Sequence, residues 1–221
     1  YPEPCMLEVK KLNYSIVYSD DNILVVDKPV SVEVIRDEGT DLTQSIILDY
    51  GFKFLKPMHR LDKNTRGLVI FAKNERAYDE LFEAFKNRTI SKFYLALVRG
   101  IVSKKSETLI GFISKNSENT AIISDKPCKG FEKIITSYKV LKRRENTTLL
   151  EIELVTGKYH QIRAHMAYYG YPLVGETRYA REVAREGREQ KLISYKIVFH
   201  FTEGQFLYYL NGKVIELKVS L

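Results

Sequence analysis

The chain has 221 residues and carries 35 Lys and Arg against 28 Asp and Glu, a formal net charge of +7. Hydrophobic residues at 44% and charged residues at 29% exclude a disordered or collagen-like chain. At this length a folded domain buries roughly 70% or more of the surface that its unfolded form exposes, so no covalent staple is needed. Only two cysteines occur, Cys5 and Cys128, and neither lies in a CxxC or Cys/His cluster, which argues against a disulfide framework and a structural zinc site. No apolar run approaches the roughly 18 residues of a membrane span. The opening YPEPCMLEVK lacks the basic-then-apolar pattern of a signal peptide, so a reduced, cytoplasmic setting is expected. The positive balance fits a polyanionic partner without establishing one.

In chain order, Ile23 to Val26 reads as a buried strand that stops at Lys28-Pro29, and Leu68 to Ala72 as a second bounded by Gly67 and Lys73. Asn74 to Asn87 reads as a helix. Tyr78, Leu81, Phe82 and Phe85 fall at i, i+3, i+4 and i+7, with Asn74 as N-cap. Phe93 to Val98 is a third strand, closed by Arg99-Gly100. In Thr148 to Val155, Leu150, Ile152 and Leu154 alternate with Glu151 and Glu153, the pattern of an antiparallel strand wet on one face. Tyr159 to Tyr169 reads as a second helix with an Ile162, Met166, Tyr169 stripe, ended by Gly170 and Pro172. Residues 181–190 are too polar for core and read as a surface loop or short helix. Ile193 to Phe201, Phe206 to Leu210 and Lys213 to Val219 read as strands, the last two joined by the hairpin signal Asn211-Gly212. The pattern predicts an α+β fold: a large, mainly antiparallel mixed sheet with flanking helices, in one domain over residues 1–221.

Three segments hold residues able to do chemistry. In Met58 to Gly67 a single carboxylate, Asp62, lies among Arg60, Lys63 and Arg66. Nearby cations favour its anion, which can act as a nucleophile in a basic cleft, although composition alone favours an ordinary surface turn. In Ser91-Lys92-Phe93-Tyr94, strand alternation puts Lys92 and Tyr94 on one face. Tyr94 there is either a stacking or proton-exchanging ring, or a plain half-buried strand tyrosine. In Thr156 to His165, Gly157 fits a turn and Arg163 is either a solvated flank or the partner of a buried carboxylate. His160 and His165 lack the i, i+4 spacing of a helical metal pair, so no metal is expected. No phosphate-binding glycine loop or Gly-x-Ser-x-Gly elbow occurs.

Taken together and in order, HRLDKNTRGLVIFAKN, KFYLALVRG and TGKYHQIRAHMAYYGYPLVGETRY closely resemble the RluA-type pseudouridine synthases. DNILVVDKP at 21–29 is similar to that family's opening motif, and Thr136 to Leu141 to its strand before the helix motif. The likeness runs from about Ile16 to the C-terminus.

The resemblance implies an enzyme that isomerises uridine to pseudouridine in structured tRNA or rRNA, with no cofactor and no metal, RNA as partner, and no obligatory protein partner, as a monomer. It implies Asp62 as the nucleophile, Tyr94 as the ring that stacks on the uracil and takes its C5 proton, and Arg163 as the partner of the aspartate. Arg60 matches the residue implicated in filling the gap left by a flipped nucleotide. His59, Lys63, Arg66, Lys92, Lys28, His160 and Gln161 are expected to line the RNA cleft. The S4-type RNA-binding module that many relatives carry is absent from these residues, and the start at Tyr1 and not Met fits a trimmed chain. Val30-Ser31 after Lys28-Pro29, Lys158-Tyr159 in the helix motif and Leu192-Ile193-Ser194 depart from the family pattern and bear on substrate identity. The competing classes are a catalytically silent RNA-binding protein on the same scaffold and, further off, a hydrolase. The hydrolase lacks a second placed carboxylate.

Overall fold

A computed structural model describes residues 12–36, 39, 41–180 and 189–221. Eleven strands among these residues join one sheet. They are β1 (Ser15–Ser19), β2 (Ile23–Lys28), β3 (Lys56–Pro57), β4 (Arg66–Ala72), β5 (Ile90–Arg99) and β6 (Ser106–Lys115). The rest are β7 (Ala121–Ser124), β8 (Glu132–Arg143), β9 (Thr147–Leu154), β10 (Leu192–Phe199) and β11 (Val214–Glu216). Three helices flank them: α1 (Leu42–Tyr50), α2 (Glu75–Lys86) and α3 (Gln161–Tyr168). The strand order is β1-β2-β4-β10-β5-β9-β8-β6-β7, with β11 on β10 and β3 on β4. The fold is therefore α+β, as the pattern predicts. The sheet is mixed because β4 and β10 run parallel, while the other pairings are antiparallel.

That parallel junction covers only two residue pairs, Ile193 with Arg66 and Ser194 with Gly67. A Cβ built on Gly67 would lie 2.1 Å from the Ser194 carbonyl oxygen, and its φ of +129° suits only glycine. Gly67 thus lets two backbones meet that any side chain would hold apart. β2 and β4 are buried on both faces, with Ile23, Leu24, Val25 and Val26 all at 0% exposure. Each such side chain contributes about 1.5–3 kcal/mol by leaving water. One face joins a core cluster with Leu42 and Ile46 of α1 and Ile162 and Met166 of α3. The other packs on Ala77, Leu81 and Ala84 of α2. β5 serves both clusters, through Ile90 at one end and Tyr94, Ala96 and Val98 at the other.

Several expectations need correction. Phe206 to Leu210 is not a strand: Tyr208–Leu210 forms a 3-10 turn. Leu207 and Leu210, three apart, are both fully buried, and Glu80 of α2 accepts the Phe206 and Leu207 N–H groups at 2.8 Å. The Asn211-Gly212 turn does form, with Gly212 at φ +72°, but it leads from that 3-10 turn into β11. In α2, Asn74 caps as expected, accepting from the Ala77 N–H at 2.9 Å. Phe82, however, is 52% exposed, and the buried stripe is Ala77, Leu81 and Ala84. Helix α3 begins two residues late because His160 takes a left-handed φ of 51°. Tyr169 caps its end and stays exposed. Helix α1, capped by Asp41 and by left-handed Gly51, and strands β6 and β7 are elements that the sequence pattern does not predict. Residues 181–188 of the polar segment 181–190 lie outside the described residues. No helix is long and apolar enough to cross a membrane among the described residues.

Candidate active site

The loop that carries Asp62 enters β4 at the parallel junction. The Thr65 N–H donates to the Asp62 carbonyl at 2.9 Å, closing a tight turn. Two residues at the end of β2 hold this turn from behind. Lys28 is fully buried, and its ammonium donates to the carbonyls of Pro29, Val32 and Lys63 at 2.9, 2.7 and 3.1 Å. Burial pulls its pKa down from 10.5 to about 8, against the opposing pull of the Asp62, Asp27 and Glu33 charges. Asp27 accepts from Arg66, with Nη2 to Oδ2 at 2.7 Å and Nε to both oxygens at 3.2 and 3.3 Å. The DKP motif is in this way a clamp on the loop. Lys28 and Arg66, read from sequence as RNA ligands, are both bonded within the protein.

Asp62 is a quarter exposed, and its Oδ2 accepts from Arg163 Nη1 at 3.2 Å. Arg163, on the first turn of α3, is one of the few buried cations, at 8% exposure. Its Nε and Nη2 donate to the two oxygens of Glu176, each at 2.9 Å. Glu176 is fully buried and also accepts the backbone N–H groups of Arg178 and Tyr179. Burial alone would raise the Glu176 pKa, but the Arg163 bonds and charge and these two N–H donors outweigh it and lower the pKa. One guanidinium therefore serves two carboxylates: it is fixed by the buried one and presented to the accessible one. Of the two roles open to Arg163, a solvated flank or the partner of a buried carboxylate, the structure forms the second. Glu176 lies inside the quoted GETRY run but had no assigned role. The only sequence signal for it was the need of a buried arginine for a carboxylate.

His160 completes the shell. Arg163 Nη1 donates into its Nε2 at 3.0 Å, and Nδ1 lies 2.7 Å from the Tyr179 hydroxyl. Guanidinium is donor-only, so the neutral ring keeps its proton on Nδ1 and donates it to Tyr179. Burial, with help from the Arg163 and Arg178 charges, lowers the His160 pKa to about 4 despite Asp62, 3.6 Å away. The ring is thus a neutral spacer between Asp62 and Tyr179, and Tyr159 stacks on it at 3.8 Å between centroids. Its left-handed backbone turns the chain from the Gly157 turn into α3, which aims Arg163 at Asp62.

Tyr94 lies on the same face of β5 as Lys92 and opposite Ser194 in β10, the residue that meets Gly67. It is 5% exposed. Burial and the nearby Asp62 charge raise the phenol pKa above its usual value, against a lowering hydrogen bond with Ser194. Asp62, Arg163, His160 and Tyr94 therefore share one electrostatic environment. Gln161 does not join them. It is 2% exposed, its Oε1 accepts from Thr156 and Lys158, and its Nε2 donates to Ile135 and Thr136. With two bonds on each end it has none left for RNA, and it instead ties the 156–158 turn to β8. Arg60 and Lys63 are exposed beside Asp62 in sequence. His59 accepts the Ile70 N–H at 3.2 Å and packs on Phe85 at 5.3 Å, and burial lowers its pKa to about 3. No group of three His, Cys, Asp or Glu is placed to hold a metal ion among the described residues.

The model of the RNA pseudouridylate synthase family matches residues 22–168. Aquifex aeolicus has an RNA pseudouridine synthase 34% identical to this chain over 229 residues, covering 93% of this chain and 72% of that protein. YlyB of Bacillus subtilis, an RNA pseudouridine synthase by name, is 33% identical over 194 residues, covering 80% of this chain and 62% of YlyB. The chain thus spans less than two thirds of YlyB. The ribosomal large subunit pseudouridine synthase C of Vibrio cholerae is 28% identical over the whole of this chain and 70% of its own. Among solved structures, human RNA pseudouridylate synthase domain containing 1 superposes with a TM-score of 0.73 at 28% identity, covering 98% of this chain and 94% of that one. The loop that presents Asp62, the strand that carries Tyr94 and the first turn of α3 all fall inside the matched region, and the chain belongs to the RNA pseudouridylate synthase family, in its RluA-type branch.

Proposed function

We propose that this chain converts uridine to pseudouridine in structured RNA, with Asp62 as the nucleophile. The observation that carries the reading is the Glu176–Arg163–Asp62 relay, which orients one accessible carboxylate near a buried tyrosine. The isomerisation breaks the N1–C1′ bond, forms a C5–C1′ bond and moves one proton from C5, with no net gain or loss of atoms. It needs no reductant or oxidant, so side chains suffice. Asp62 supplies an electron pair to the reacting nucleoside, Arg163 orients the carboxylate by its hydrogen bond to Oδ2, and Tyr94 packs on the detached uracil. Fixing both partners in this way replaces encounter by orientation.

The order of events follows from charge. In the resting site the Asp62 anion helps to keep the Tyr94 phenol protonated. While Asp62 is bonded to the nucleoside that negative charge is gone, which lowers the Tyr94 pKa. The phenol then gives its proton to N1 of the detached uracil, and the phenolate takes the C5 proton after the C5–C1′ bond forms and Asp62 leaves as the carboxylate. A base stacked in an RNA helix cannot reach a carboxylate recessed to this degree, so the nucleotide leaves the stack. In this reading exposed Arg60 fills the gap. The name of the Vibrio cholerae relative makes large-subunit rRNA the first RNA to test.

The test uses a large-subunit rRNA transcript labelled with tritium at uridine C5, together with chemical mapping of pseudouridine in RNA from cells with and without the gene. Tritium release and a gene-dependent site are expected from the native protein. Asp62→Asn should bind the transcript and release none. Binding without release by the native protein would instead make it a silent RNA-binding scaffold.

A further inference from the structure

A second basic site lies beside the one around Asp62. Two residues along β5 from Tyr94, on the same face, Lys92 is half-buried yet has no carboxylate or hydrogen-bond acceptor among the described residues. Its contact is the Phe85 ring, 5.2 Å from Nζ. A buried ammonium without an anion is costly, and burial pulls its pKa from 10.5 down to about 8. Beyond the Phe85 ring nothing among the described residues offsets that cost, which is unlike Lys28 with its three carbonyls or Lys196 with Glu151.

Lys92 opens into a cleft of about 300 Å³ that Arg88, Lys133 and Lys158 also line. The one carboxylate in its wall, Glu132, is bound by Lys158. Four cations against one carboxylate leave a formal charge of +3 on the walls of the cleft. Arg88 sits in a left-handed turn at φ +60°, directly after α2, with its side chain exposed. The floor is the Gly157 turn, which leads through His160 to Arg163. A Cβ at Gly157 would lie 3.3 Å from Lys92 Nζ, so the missing side chain leaves the ammonium open to the turn. The same turn therefore borders both the cleft and the shell of Asp62.

We propose that Lys92, Arg88, Lys133 and Lys158 form a phosphate subsite that grips the RNA backbone next to the nucleotide held at Asp62. The step from Tyr94 to Lys92, two residues of strand or about 7 Å, is close to the spacing of neighbouring phosphates along an RNA strand. The ammonium, which has no anion among the described residues, receives one from the substrate, and the cleft is wide enough for a phosphodiester. The choice of RNA as the anion's source rests on the reading proposed above.

The experiment is a salt titration of binding to the large-subunit rRNA transcript by the native chain, Lys92→Met and Arg88→Gly. Arg88→Gly suits its left-handed backbone, and Lys92→Met removes a desolvated charge, so both are expected to melt at or above the native temperature. Each lost phosphate contact should weaken binding about tenfold and make the plot of log K against log salt shallower by about 0.7. If both folded variants keep the native affinity and slope, the subsite is refuted. Should Lys92→Met fail to fold, exposed Arg88 alone decides. Failure of the functional reading looks different: the native chain would bind with the full slope and release no tritium, which leaves the subsite standing. A native chain that does not bind the transcript overturns both.

Discussion

Glu176→Gln tests the relay without touching the substrate. The substitution keeps the shape and removes one charge. Glu176 Oε1 accepts from Arg163 Nη2, Arg178 N and Tyr179 N, and Oε2 accepts from Arg163 Nε. A glutamine must leave its oxygen where three donors converge, so its NH2 faces the Nε–H of Arg163, donor against donor. Removing one partner of a buried ion pair costs about 3–5 kcal/mol, and Asp62 still compensates Arg163 in part, so about 3 kcal/mol is the expected loss. For a chain of this size that lowers Tm by roughly 6–12 °C. The guanidinium also loses the fork that aims Nη1 at Asp62. Losing one charge-assisted hydrogen bond of about 1.5–3 kcal/mol predicts a fall in kcat of roughly 10- to 100-fold in the tritium-release assay. A pH series separates this cause from general damage. Folding holds the Glu176 pKa below its ordinary value of 4.5, so its stabilisation is complete above 4.5 and is lost as pH falls through the folded value. Glu176→Gln should therefore show a shallower loss of stability below pH 4.5 than the native chain. A variant that melts within 2 °C of native, with native kcat, would refute the relay.

Gly67→Ala places a methyl 2.1 Å from a carbonyl oxygen at a φ of +129°, so an insoluble protein or a Tm drop above roughly 8 °C is expected; a native melt would mean that the β4–β10 junction has slack. Lys28→Met leaves three carbonyls without their donor and frees the Asp62 loop, and kcat should fall by at least roughly tenfold. Because folding depresses the Lys28 pKa to about 8, the unfolded chain holds more protons between pH 8 and 10.5, so Lys28 makes stability rise with pH across that window. Denaturant melts of the native chain and Lys28→Met should diverge in that sense, and parallel curves would contradict it. His160 and His59, lowered to about 4 and about 3, should stay neutral above pH 5 in an NMR titration of the ring resonances; a midpoint near 6.5 for either would show that its ring is not desolvated.

The strands with the clearest patterns were legible one at a time. β2, β4 and β9 could be read because both-face burial and strict alternation are written in consecutive residues, and α2 because its cap and its stripe are local. The 3-10 turn at Tyr208–Leu210 could not, since β-formers in sequence say nothing of Glu80, more than a hundred residues away, waiting to accept two N–H groups. Phe82 fitted the helical period and still faces water, because α2 presents its alanines where the sheet comes closest.

By itself the sequence determined which residue types could do chemistry and, through their order, the family. Asp62 among cations, Tyr94 on a strand and Arg163 in a helix start are each local facts. Only the tertiary structure decided what holds them. It set Arg163 between two carboxylates 101 and 13 residues away, turned Lys28 and Gln161 inward, paired the exposed Arg66 with Asp27, and left Lys92 without an anion among the described residues. The physical reason is that hydrogen-bond capacity is finite. Whether a basic side chain meets RNA or a buried carbonyl depends on which acceptors the fold brings within 3 Å, and no local pattern encodes that.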